Sequence, residues 1–195
     1  MNEIIKNMLE RRSIRKYKPE QIAEETLNVI LLAGTYAPSA GGRQSPVIVA
    51  CQDAGINDWL GKINKAAFRG HMSSAKSYIS KEQPSIADDV SLESGFYGAP
   101  TVLTLFAPGN FLYSVADCSV AAQNIVLAAH SLGIGSCIVA RAEDTFASEL
   151  GQRLQKEWSI SSDYEAKIHI TLGYPANDAP PKAKPRKEER IIRVF

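Results

Sequence analysis

The 195-residue sequence predicts an α+β domain, a small mixed sheet flanked by helices with one long helix at its centre. Three observations predict it. Val115, Cys118, Ala122, Ile125, Ala129 and Leu132 step by threes and fours, the sustained seam of a helix packed along its length. Short apolar runs bounded by turn residues mark four strands. The elements run as two helices, strand, helix, loop, then strand, helix, strand, helix, strand. That order is neither the strict alternation of a parallel α/β fold nor a bundle. A chain of this length forms one domain, residues 1–195, able to bury a real core.

The first element is a short helix over 2–10, with Ile4, Ile5, Met8 and Leu9 on one side. A second starts near Pro19, whose fixed φ suits a first turn, and Glu20, Glu24 and Glu25 complement its positive end. It runs to about Tyr36, with Ile22, Val29, Ile30 and Ala33 facing inward. Residues 38–42 form a loop, 47–51 a buried strand and 55–69 a helix. Gly, Ser and Pro interrupt 70–99, as in a lid or binding loop. Phe68, His71, Tyr78, Phe96 and Tyr97 are its candidate substrate contacts. The second strand covers 101–106. The central helix, about 111–132, spans about 30 Å. Its flanks carry Ala116, Val120, Ala121, Leu127 and Ala128, so it is enclosed nearly all round. Gly133 ends it. A strand at 136–140, a helix at 143–158 and a strand at 167–174 follow, the last with Ile168, Ile170 and Leu172 alternating inward. The tail after Pro175 is rich in Pro and Lys.

The charge lies at the two ends. Residues 1–18 hold six Lys or Arg against two acids, and 182–195 again hold six against two. The body between them holds ten bases and seventeen acids. Two distant basic segments gain from sharing a sign when something negative sits between them, and a phosphorylated small molecule is the economical candidate. Short basic ends on an acidic body argue against nucleic acid. Cys51, Cys118 and Cys137 are odd in number and irregularly spaced, and two lie in apolar runs, as reduced, packed thiols do. There is no signal-peptide pattern and no apolar stretch of membrane-spanning length, so the expected setting is cytoplasmic.

Most short motifs have ordinary readings. Gly133-Ile134-Gly135-Ser136 starts like a dinucleotide fingerprint, but it lacks the third Gly and lies between helix and strand in the wrong order. A helix C-cap and tight turn explain it. His71, His130 and His169 lack neighbours at metal-ligand spacing, and no metal is expected. His169 falls on the polar face of its strand. A dipole or cap role suffices for His130. Asp117, inside the central helix, needs partners and is expected to bond a helix or loop terminus. The segment Arg11-Arg12-Ser13-Ile14-Arg15-Lys16-Tyr17 alternates polar and apolar groups, as an extended stretch laid along a ligand would.

That segment resembles the signature opening the FMN-dependent nitroreductases. Ala37-Pro38-Ser39-Ala40-Gly41-Gly42-Arg43-Gln44-Ser45-Pro46 resembles the second family motif, with Ser45 where Pro is usual after Gln. Ala121-Ala122-Gln123-Asn124 with Gly133 to Cys137 resembles the third, and Leu172-Gly173-Tyr174-Pro175 with Lys184-Pro185-Arg186 the closing segment. The matches cover nearly the whole chain, in order.

The resemblance implies a nitroreductase-like fold in an intertwined homodimer with two FMN sites at the interface. It implies ping-pong hydride transfer from NAD(P)H through flavin to nitro compounds, quinones or related acceptors. Cofactor contacts fall on Arg11, Arg12, Ser13, Arg15, Pro38, Ser39, Ala40, Gln44, Ala140, Arg141, Lys184 and Arg186, with at least Pro38 and Ser39 from the partner chain. Arg11, Lys184 and Arg186 suit the phosphate, and Arg15 suits the N1–C2=O edge of reduced flavin. The flavin carries the chemistry, so no acid, base or nucleophile cluster is required. Rival readings are the same fold with dehalogenating, flavin-fragmenting or dehydrogenating chemistry, a non-catalytic flavin-binding module, and a nucleic-acid binder.

Overall fold

The structure is a computed structural model, and it describes residues 1–68, 81–177, 181–183 and 185–195. The elements in chain order are α1 (Glu3–Glu10), α2 (Glu24–Thr35), β1 (Val47–Cys51), α3 (Ala54–Ala66), β2 (Thr101–Pro108), α4 (Ser114–Ser131), β3 (Gly135–Val139), α5 (Ala142–Phe146), α6 (Glu149–Glu157) and β4 (Tyr164–Gly173). The sheet order is β1-β2-β4-β3, and every adjacent strand pair is antiparallel. This corrects the expected mixed sheet. Helix α4 crosses from β2 to β3, which run parallel to each other as a crossover requires, but β4 returns between them against both.

Both faces of the sheet are covered at its central strands, β2 and β4, whereas β1, expected as a buried strand, is an edge strand with no fully buried residue. Leu103, Leu105, Ala107, Ile170 and Leu172 pack with Leu27 and Ile30 of α2 and with Cys118, Ala122, Ile125 and Ala129 of α4. Val102, Phe106, Val139 and Ala166 pack on the other face with Leu60 of α3, Phe146 of α5 and Leu154 of α6. Helices α2 and α4 approach closely at Gly34, where an added Cβ would lie 2.7 Å from Ile125 Cγ1. Local chemistry fixes the helix starts. Asn2, Asp53 and Ser148 each accept a hydrogen bond from a first-turn N–H. Gly133, at φ +74°, ends α4: its N–H reaches the His130 carbonyl and the Ile134 N–H reaches the Ala129 carbonyl, a Schellman cap.

Several boundaries move for identifiable reasons. Helix α2 begins five residues after Pro19 because Gln21 is tied to the Gln52 and Pro100 carbonyls and Ile22 is buried, which holds that stretch outside a helix. Val29 is exposed; Leu27, Ile30 and Gly34 form the inward stripe. The helix expected over 143–158 is two, because Ser148 caps a new start. His169 is not on a polar face. It is fully buried against Phe96 and Phe146, since the sheet is covered on both faces at β4. The middle of the α4 seam, Cys118, Ala122, Ile125 and Ala129, faces its own core, but its ends, Val115 and Leu132, are exposed, as are Ala116, Ser119, Val120 and Gln123, so a single chain does not enclose this helix.

Candidate functional site

The Arg11–Tyr17 segment lies extended along β3. Ser13 makes a parallel bridge to Ser136, the Ile14 N–H donates to the Ser136 carbonyl at 2.9 Å, and Tyr17 pairs with Pro175. Ile14 is buried as an apolar anchor, and the Tyr17 hydroxyl bonds Thr171 Oγ1 at 2.7 Å. Burial holds that phenol well above its ordinary range, so it stays protonated. Alternation then turns Arg11 and Arg15 away from Ile14. Arg11, Arg12, His130, Gly135 and Ser136 are among the residues lining a cavity of about 210 Å³ at the C-terminal end of α4. Burial and the nearby Arg11 lower the pKa of His130. Arg12 Nε, Arg15 Nε and Ser136 Oγ are buried without a hydrogen-bond partner among the described residues. Three orphaned donors beside clustered cations suit an anionic ligand rich in acceptors.

Arg15 is held on one side by Gln83, whose Oε1 accepts the Arg15 backbone N–H at 2.5 Å and whose carbonyl accepts Nη1 at 2.7 Å. The Tyr97 ring centroid lies 5.8 Å from its Cζ. The corner after β3 is also fixed. Arg141 sits at φ +67°, a costly conformation for a residue with a side chain. Its guanidinium donates to the Asn64 carbonyl and Oδ1, while Asn64 Nδ2 donates to the Ala140 carbonyl at 2.8 Å and to Thr145 Oγ1 at 3.0 Å. Phe68 lies under the Arg141 cation at 5.1 Å.

The 38–45 loop is anchored elsewhere. Asp117 accepts from the Ala40 N–H and from Ser45 Oγ, both at 3.0 Å, which bears out a carboxylate serving a loop terminus. Ser39 Oγ accepts the Gln44 N–H, which lets Gln44 hold φ +50°. Pro38, Ser39 and Gln44 help line a separate cavity of about 130 Å³. That loop leads into β1 at one edge of the sheet, whereas the arginine segment pairs with the outer side of β3 at the other, four strand spacings or about 19 Å away. Along α4, Asp117 and His130 are about 20 Å apart. One chain therefore does not unite the two sets of predicted cofactor residues.

The remaining assignments divide. Arg186 lines a third cavity with Lys187, Glu189, Arg190 and Ile191, apart from Arg11. Lys184, His71 and Tyr78 lie outside the described residues. Phe96 is corrected: it is 1% exposed and packs edge-on to His169, so it belongs to the core and not to a binding wall. Residues 81–99 are accordingly no detached lid, since Gln83, Ile86 and Ala99 are buried as well. Sequence reasoning missed Gln83 and Asn64. The second had a signal, because Asn57, Leu60, Gly61 and Asn64 form a helical stripe with polar groups at core positions.

A profile of the nitroreductase family matches residues 8–174. The chain belongs to the nitroreductase family. A protein of Archaeoglobus fulgidus carrying a provisional name of NADH dehydrogenase/NAD(P)H nitroreductase is 31% identical over 185 residues, covering 91% of this chain and 88% of its own. Nitroreductase NfnB of Mycolicibacterium smegmatis is 27% identical, over 75% of each chain. Among solved structures, an FMN-bound nitroreductase of Bacteroides fragilis superposes over the full length of both chains at a TM-score of 0.81 and 26% identity. The family and the nitroreductase fold are thus as the sequence implies. Among the described residues, no helix is long and apolar enough to cross a membrane.

Proposed function

We propose that this chain binds FMN and works as an NAD(P)H-dependent oxidoreductase on nitro compounds, quinones or related acceptors, as a homodimer. The observation that carries the reading is the pair of orphaned buried groups lining the Arg11 cavity, Arg12 Nε and Ser136 Oγ, with a third orphaned donor, Arg15 Nε, on the same extended segment. An FMN, with a near-dianionic phosphate and an acceptor-lined pyrimidine edge, satisfies such donors. Bound FMN supplies ping-pong hydride transfer, from NAD(P)H and then to the acceptor.

The residues have separable tasks. Arg11 holds the phosphate. Arg12 and Ser13 line the approach. Arg15 places a cation at the edge where negative charge collects on reduction, which favours the reduced form. Ala140 and Arg141 form the fixed corner beside the ring, and Phe68 and Tyr97 border the acceptor space. Pro38, Ser39, Ala40 and Gln44 come from a second copy, which the separation of the two cavities supports. Purified protein should be yellow, carry FMN stoichiometrically and oxidise NADH or NADPH when given a quinone or nitroarene. Yellow protein that NAD(P)H cannot reduce rejects the oxidoreductase reading, and colourless protein that takes up no added FMN rejects the cofactor.

A further inference from the structure

We propose that Gln83 is a positioning residue for Arg15, locking the guanidinium at the flavin site and thereby setting the redox potential of the bound cofactor. The inference rests on the reading of Arg15 given above.

Gln83 comes from the irregular stretch before β2, yet it is 2% exposed. Burying an amide is unfavourable unless its polar atoms are engaged. Here it engages Arg15 at both ends. Its side-chain Oε1 takes the backbone N–H at the root of Arg15, and its main-chain carbonyl takes Nη1 at the tip. Parallel pairing with β3 reaches the Ile14 N–H, and Gln83 supplies the acceptor for the next N–H along. The Tyr97 ring lies against the same guanidinium. Tip and root are thus fixed, while Nε remains a buried donor without a partner among the described residues. A long side chain free to rotate spreads its charge over many positions. One locked this way keeps a cation and a spare donor in place before the ligand gains charge, the preorganisation that stabilises a charged state most effectively.

A double-mutant cycle tests this by spectroelectrochemical titration of the FMN-loaded protein, with the dissociation constant for oxidised FMN measured alongside. Arg15→Gln and Gln83→Ala should each lower the two-electron midpoint potential. For Gln83→Ala we expect about a tenfold loss of preference for reduced over oxidised FMN, about 30 mV. Affinity for oxidised FMN should change less, and the double variant should match Arg15→Gln alone. A Gln83→Ala shift that persists in the Arg15→Gln background, or no shift while Arg15→Gln lowers the potential, overturns the role of Gln83 and leaves Arg15 standing. An unchanged potential in Arg15→Gln overturns the reading of Arg15 itself. Gln83→Asn, which keeps the amide but shortens its reach, should shift the potential in the same direction, and it serves if the alanine variant does not fold.

Discussion

At the scale of single residues, two groups make quantitative demands. His169 is fully buried, bonds Thr104 through Nδ1 at 2.9 Å and leaves Nε2 without a partner among the described residues. Burial first, and then Arg141, push its pKa down to about 3. The unfolded chain protonates this histidine below about pH 6.5, while the fold resists down to about 3. The unfolded state therefore binds more protons across that window, and stability falls as the pH drops, by about 1.4 kcal/mol per pH unit. Urea titrations at pH 7 and pH 5 should show a smaller loss in His169→Gln than in the parent protein, and equal losses would remove His169 from the account. Arg11 gives the second demand. Losing a charge-assisted contact to phosphate costs about 1.5–3 kcal/mol, so Arg11→Ala should bind FMN roughly ten- to a hundredfold more weakly in a fluorescence titration. Unchanged affinity would reassign the cavity.

At the scale of elements, Asp117 joins α4 to the 38–45 loop. Asp117→Ala leaves the Ala40 N–H and the Ser45 hydroxyl without their acceptor, a loss of about 2 kcal/mol. Limited proteolysis should then cut within 38–45, whereas an unchanged digest would mean that other contacts hold the loop. Gly34→Ala should cost about 1–3 kcal/mol, because its new methyl meets the buried Ile125; a thermal melt within a degree of the parent would show that α2 can shift at no cost. These elements also show what the sequence displays and what it hides. The middle of the α4 seam and the cap at Gly133 were legible because each depends on neighbours in the chain, and so was the need of Asp117 for a partner, since a carboxylate stands there among apolar helix positions; which loop supplies that partner, 72 to 77 residues away, was not. The insertion of β4 between β2 and β3 was not, since strand order is decided by packing between distant segments. Nor was the second covered face of the sheet, which turns His169 and Phe96 into core residues. Gln83 left no periodic trace at all, because its partners lie 68 residues away.

At the scale of the molecule, one chain leaves apolar surface uncovered. Val115 and Val120 on α4 are 57% and 38% exposed, and Ile4, Met8 and Leu9 on α1 are each about half exposed or more. Phe195 and Val194 of the tail are fully or almost fully open. The proposed dimer covers such surface. Val120→Glu changes no core contact and should give a folded monomer by sedimentation; a dimer that persists would place the interface elsewhere.

The separation of the arginine segment from the 38–45 loop, on opposite edges of one sheet, has a kinetic and practical consequence. If neither edge alone retains the cofactor, self-association and cofactor loading form a single equilibrium, governed by mass action. Specific activity should then fall as the enzyme is diluted into flavin-free buffer. It should fall with a steeper than first-order dependence on protein, and added FMN should restore it by drawing subunits back together. An assay run at nanomolar enzyme would report that equilibrium as much as the turnover of the intact site.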